Sequence, residues 1–202
     1  MREKQLMHVG NKIKKMESKF KYTNERNVQI VIALLKAHGI HRVIASPGTT
    51  NMTFVVSIEN DPWFQVWSSV DERSAAYLAC GMAAETGEPV VISCTGATAS
   101  RNYMPGLTEA YYRKLPVLAI TSTQDICNVG HLIAQVTDRS QRPPDILIDS
   151  VHIQPITAAQ DAWDVNIKLT QVLNNDIKKQ GPIHINLTIG RCDFNTKELP
   201  EY

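Results

Sequence analysis

The chain has 202 residues, 43% of them hydrophobic and 20% charged, and a formal net charge of +1. That length and composition suit one globular domain with a real core, and the near-neutral balance argues against nucleic acid as a partner. No apolar run approaches the ~20 residues of a membrane span and no secretory leader opens the chain, so no membrane role and a cytoplasmic location are expected.

Residues 1–21 carry seven Lys/Arg against two Glu and little apolar period, and read as a basic N-terminal extension. A regular pattern begins at Thr23. "TNERNVQIVIALLKAHGI" places Val28, Val31, Ile32 and Leu35 at helical spacing, with Thr23 or Asn24 as the N-cap and His38-Gly39 as the stop. "HRVIAS" is a short β-branched strand that ends in the turn "PGTTN". "MTFVVSIEN" follows as a helix and "FQVWSSV" as a second strand. "ERSAAYLACGMAAETG" is rich in helix formers and stops at Gly87. "PVVISCT" is a third strand, apolar enough to be covered on both faces. "GATASRNYMPGLTEAYYRKL" reads as a loop and then a helix, "PVLAITST" as a fourth strand, and "RSQRPPDILID" as an exposed connection. A late helix, "DAWDVNIKLTQVLNNDIKKQ", and a final strand, "GPIHINLTI", complete the pattern. Strands alternating with helices give an α/β fold, a parallel β-sheet with helices on both faces. In such sheets ligands gather at the carboxyl ends of the strands, which singles out residues 47–51, 71–73, 96–102 and 124–135.

The common signatures of this fold class are missing: GxGxxG after a strand, GxxxxGK[ST], HExxH and GxSxG are all absent. The cysteines Cys80, Cys94, Cys127 and Cys192 form no CxxC pair, and two of them lie in apolar stretches as buried thiols do. The residues that remain admit two readings each. Glu72 opens an Ala-rich helix, where a carboxylate is favoured by the helix dipole, and it is also placed to do proton chemistry. "TGATASRN" has the small residues of a tight turn and also the hydroxyl, amide and N–H groups that hold a polar heterocycle or an anion. "SPGTTN" is a turn whose Thr49, Thr50 and Asn51 either cap or bind.

In their order and spacing, "SPGTTN", "DERSAAYLACGMAAETGEPVVISCTGATASRNYMPGLTEAYY" and "LPVLAITST" resemble the pyrimidine-binding (Pyr) domain of thiamine-diphosphate-dependent enzymes. That superfamily includes acetolactate synthases, pyruvate oxidases, 2-oxo-acid decarboxylases and the succinyl carboligase of menaquinone synthesis. The resemblance implies a Pyr-type domain over residues 22–195, with residues 196–202 a tail or the start of a linker. It implies that Glu72 is the glutamate that hydrogen-bonds N1′ of the aminopyrimidine and so activates thiamine diphosphate. By the same match Thr95, Gly96, Ala97, Thr98 and Asn102 line the pyrimidine pocket, with Pro47 and Gly48 beside it. Thr49, Thr50, Asn51 and Gln135 lie on the substrate side.

The departures are equally specific. The menaquinone carboligase carries an Arg after its Ser-Pro-Gly to hold a substrate carboxylate, whereas here Thr49-Thr50-Asn51 follow, which lack a bidentate cation. The GDG with its following Asn, which places Mg²⁺ and the diphosphate on a separate PP-type domain, is not in these 202 residues. The expectation is therefore one half of a 2-oxo-acid decarboxylase or carboligase that is inactive alone. It would need a PP-type domain from the same longer polypeptide or a separate subunit, in a homodimer or higher oligomer. The alternative is a non-catalytic module of the same fold that serves regulation or assembly.

Overall fold

A computed structural model describes residues 21–138, 144–179 and 181–189. The basic extension and the tail after the last strand lie outside them. The elements, in order, are α1 (Arg26–Ala37), β1 (Arg42–Ala45), α2 (Met52–Glu59), β2 (Gln65–Ser68), α3 (Glu72–Thr86) and β3 (Val90–Thr95). They continue with α4 (Thr98–Asn102), α5 (Met104–Arg113), β4 (Val117–Thr123), β5 (Asp149–Ile153), α6 (Ala159–Lys179) and β6 (Ile183–Thr188). The six strands form one sheet in the order β2-β1-β3-β4-β6-β5, and every neighbouring pair is parallel. The α/β class read from the sequence is the fold observed. Among the described residues no helix is long and apolar enough to cross a membrane.

The strands alternate between two cores. Val43, Ala45, Val91, Leu118, Ile120, Ile183, Ile185 and Leu187 point to one face, where α1, α2 and α6 bury Ile32, Leu35, Phe54, Ile58, Leu169 and Leu173. Ile44, Val90, Ile92, Cys94, Val117 and Ala119 point to the other, where α3 and α5 bury Ala75, Ala76, Ala79, Cys80, Leu107 and Ala110. Toward β5 that second face turns polar. Thr121 donates to Asn186 Oδ1 at 2.7 Å and lies 2.7 Å from His184 Nε2, and His152 lies 2.7 Å from Thr188 Oγ1. At the β2 side, Asp61 accepts from Tyr22 at 2.8 Å and pairs with Lys36 at 2.7 Å, so its buried carboxylate ties the chain before α1 to the turn after α2.

Three local readings are corrected. The N-cap of α1 is Glu25, without a side-chain cap bond, instead of Thr23 or Asn24; the Thr23 hydroxyl accepts from Glu25 N one step outside the helix. Thr98–Asn102 is a short helix instead of a loop, because the Ser100 hydroxyl donates back to the carbonyls of Gly96 and Ala97. Within the stretch read as an exposed connection, Ile146 and Leu147 are buried, and Asp149 begins the edge strand β5.

The order of strands creates a crevice. From β1 the chain moves outward to β2, whereas from β3 it moves the other way to β4. The segments that leave the carboxyl ends of β1 and β3 therefore diverge, and the open point between them is where doubly wound sheets take ligands.

Candidate functional site

Two neighbouring carboxylates open α3, and they do different things. Asp71 is the N-cap: its carboxylate accepts from Ser74 N at 2.8 Å and from Ser74 Oγ at 2.6 Å. Those bonds hold the Asp71 carboxyl below its ordinary value. The cap is thus filled by Asp71, and Glu72, the first residue of the helix, is spared that task. Glu72 instead accepts from Asn102 Nδ2 at 3.4 Å, a long bond that reaches it from the end of α4. It is half-buried, so the chain's own residues do not provide the dry pocket a tuned carboxyl needs.

Around this pair the two diverging segments are pinned to each other. Gly96 donates its N–H to the carbonyl of Ser122 at 2.6 Å, and the Thr50 hydroxyl donates to the same carbonyl at 2.6 Å. A side chain on Gly96 would meet that carbonyl at 2.7 Å, so only glycine lets the turn lie this close to β4. Asn51 is wholly buried and spends its amide inside the loop. Its Oδ1 accepts from Gly48 N at 2.8 Å, and its Nδ2 donates to Ser46 O and Ser93 Oγ at 3.2 Å each.

The sequence-derived residues therefore fall into groups. Glu72 and Asn102 touch directly. Thr95 packs against Gly48, and Gly96 and Ala97 are the buried start of the turn that leads into α4. Pro47, Thr49 and Thr98 are exposed at the crevice, while Thr50 and Asn51 turn inward. Gln135 has an exposed side chain and a positive φ of 62°; its carbonyl accepts from Thr123 Oγ1 at 3.5 Å, at the end of β4. Close by, Thr137 donates to Gly96 O at 2.9 Å. A cavity of about 530 Å³ opens here, lined by Thr123, Gln124, Thr137, Asp138, Ser150 and His152 among others, a size ordinary for a small-molecule site.

Four contributors were not singled out from the sequence: Ser46, Tyr103, Ser122 and Thr137. Ser46 and Tyr103 lie within the matched stretches, while the contacts of Ser122 and Thr137 come from partners far along the chain. Tyr103, between α4 and α5, is fully buried. Desolvation holds its phenol well above the ordinary tyrosine value; the neighbouring Cys94 and the Glu72 charge add to this, while Ser46 opposes it.

Comparison with known proteins identifies the family. Residues 26–143 match the family model for the thiamine pyrophosphate enzyme, N-terminal TPP binding domain. The chain is 32% identical over 183 residues to the 2-succinyl-5-enolpyruvyl-6-hydroxy-3-cyclohexene-1-carboxylate synthase of Bacteroides thetaiotaomicron, covering 89% of this chain and 33% of that protein. It is 30% identical over 183 residues to the enzyme of the same name from Phocaeicola vulgatus, with the same coverage. Its fold superimposes with a TM-score of 0.67 on a thiamine diphosphate-dependent 4-hydroxybenzoylformate decarboxylase of Rhodococcus jostii, at 20% identity over 80% of this chain and 30% of that one. The chain thus spans about a third of the length of the curated relatives it matches. By the extent of that match, the chain belongs to the thiamine pyrophosphate enzyme family, as its N-terminal TPP-binding domain.

Proposed function

We propose that this chain is the pyrimidine-binding half of a thiamine-diphosphate-dependent enzyme that decarboxylates a 2-oxo acid and releases or transfers the remaining acyl unit, with Glu72 as its activating carboxylate. The observation that carries this reading is the division of labour at the start of α3. Asp71 caps the helix, and among the described residues the side-chain hydrogen bond to the Glu72 carboxylate comes from Asn102, at the end of α4. A helix entrance that needed only a cap would be complete with Asp71.

The residues present fit the edge of an aminopyrimidine: a half-buried carboxylate beside a carboxamide at the end of the short helix that follows the Gly96–Ala97 turn. When bound, the cofactor supplies a carbon nucleophile for the carbonyl of the 2-oxo acid. Glu72 would hold a proton at N1′ of the pyrimidine, and Asn102 would orient the carboxylate for it. Thr49 and Gln135, both exposed at the crevice, would face the substrate. The diphosphate and its Mg²⁺ would be held by a PP-type domain, with a dimer or higher oligomer as the working assembly. The elements flanking Glu72 carry exposed apolar side chains that suit such a neighbour: Trp67, Val70 (94% exposed), Tyr77 and Leu78.

The test combines the chain with a PP-type domain, thiamine diphosphate and Mg²⁺, and follows exchange of the cofactor's C2 proton by NMR. Tight cofactor binding and exchange are expected, and Glu72→Gln should abolish exchange while cofactor binding and the fold persist. Exchange at the wild-type rate in Glu72→Gln would remove the assigned role. Failure to bind cofactor with any such domain would favour the regulatory module.

A further inference from the structure

The cavity beside Thr137 is built unlike the rest of its face of the sheet. Over β1 and β3 that face is apolar and packed by α3 and α5, whereas at β4, β6 and β5 it presents Thr121, His184, Asn186 and His152. Thr121 spends its hydroxyl on Asn186 Oδ1 at 2.7 Å, and His152 Nε2 lies 2.7 Å from Thr188 Oγ1. Asn186 is wholly buried, and among the described residues its Nδ2 has no hydrogen-bond partner. A buried amide without a partner is destabilising, so its presence on a sheet face calls for an explanation. Its neighbour in register on the side away from Thr121 is His152, which lines the cavity of about 530 Å³. The segment after β4 forms another wall. It is fixed to α4 and to the turn before it, since Thr137 Oγ1 donates to Gly96 O at 2.9 Å and Arg101 Nη2 to Asp138 O at 3.3 Å. The far end of α4 is Asn102, which meets Glu72.

We propose that this cavity is a binding site for a neutral, polyhydroxylated small molecule of the sugar or cyclitol kind. Thr123, Gln124, Thr137, Ser150 and His152, which line it, carry hydroxyl, amide or imidazole groups. In their uncharged forms these groups both donate and accept, which is what alcohol hydroxyls do in return. A carboxylate or phosphate ligand would accept only and would call for a cation, but the only Asp, Glu, Lys or Arg among the described lining residues is Asp138. Ile126 and Val129 complete the lining and suit the C–H face that such a ring carries beside its hydroxyl edge. Because the wall hangs from Gly96 and Arg101, occupancy is felt at α4, and so at Asn102.

The experiment is a ¹H–¹⁵N NMR titration of the full chain with myo-inositol, a rigid polyol without a reactive carbonyl, and in parallel with succinate. Inositol should shift the amide signals of Thr123, Thr137, Ser150 and His152 saturably in the low millimolar range, as suits so small a ligand, and succinate should not. His152→Leu keeps the bulk, removes the imidazole and should weaken inositol binding about tenfold. Ser150→Ala should weaken it less, and Tyr77→Phe, at an exposed position on α3, should leave it unchanged. Absent or unsaturable shifts with inositol overturn the proposal, as does succinate bound equally tightly at the same residues. Unchanged affinity in folded His152→Leu overturns it too. Should that variant fail to fold, unchanged affinity in Ser150→Ala decides against it in the same way. The titration needs no cofactor, so its result is independent of the role of Glu72. In the assembled enzyme, a change in C2 exchange without 2-oxo acid marks the site of an effector, and competition in turnover alone marks that of a hydroxylated substrate. Neither response overturns the cavity as a functional site.

Discussion

The two faces of the sheet are built from different side chains. Under α1, α2 and α6 the core is Ile, Val, Leu and Phe, large groups that fill the space between layers. Under α3 and α5 the helix residues in the core are mostly Ala and Cys, with Leu107 among them, and Gly106 of α5 lies against Ala76 of α3. A side chain added at Gly106 would come within 2.5 Å of the Ala76 side chain, which measures how closely α5 approaches α3. The first face holds more of the large buried apolar side chains, and the burial of large apolar groups is what stabilises. The second fixes two helix backbones at short range, and those helices carry Glu72 at one start and follow directly from Asn102 at the other. Large side chains set how stable the domain is, while small ones set where its carboxylate stands.

Substitutions on each face can break that distinction. Phe54→Ala, in the large-residue core, should cost about 3–5 kcal/mol in urea unfolding yet leave the Asn102 side-chain amide resonances unmoved. Gly106→Ala should cost less, about 1–3 kcal/mol by overpacking, yet should move those resonances and slow C2 exchange in the assembled enzyme. Reversal of the two patterns would show that the faces do not divide the work. The smallest effect is at the cap. The native-state carboxyl of Asp71 is held below its unfolded value, so its contribution is present above the unfolded value and is lost as pH falls through the lower native one. Asp71→Ala should therefore lower the melting temperature slightly at neutral pH, and the difference from wild type should vanish in acid.

The sequence could reveal whatever is written locally. β1, β3 and β4 are apolar runs bounded by turn residues, and the helix stops at Gly39 and Gly87 are glycines at positive φ. β5 escaped because it sits at the edge of the sheet, where Asp149, Ser150 and His152 interrupt Val151 and Ile153 and leave no apolar run to read. The site was legible in part. The Asp71–Glu72 pair and the small-residue turn are visible in the chain, but which acid caps the helix depends on the extended backbone at Asp71, which aims its carboxylate at Ser74 N. That Asn51 is consumed inside its loop depends on Ser93, 42 residues away.

The carbonyl of Ser122 receives hydrogen bonds from both diverging segments, through Thr50 and Gly96. Because the acceptor is main chain, no replacement of the Ser122 side chain removes it, and a conventional mutational scan would record position 122 as silent while the joint stays intact. Only a change to the peptide group itself, such as an ester in place of the amide that follows Ser122, would weaken the acceptor and let the two walls of the crevice move separately.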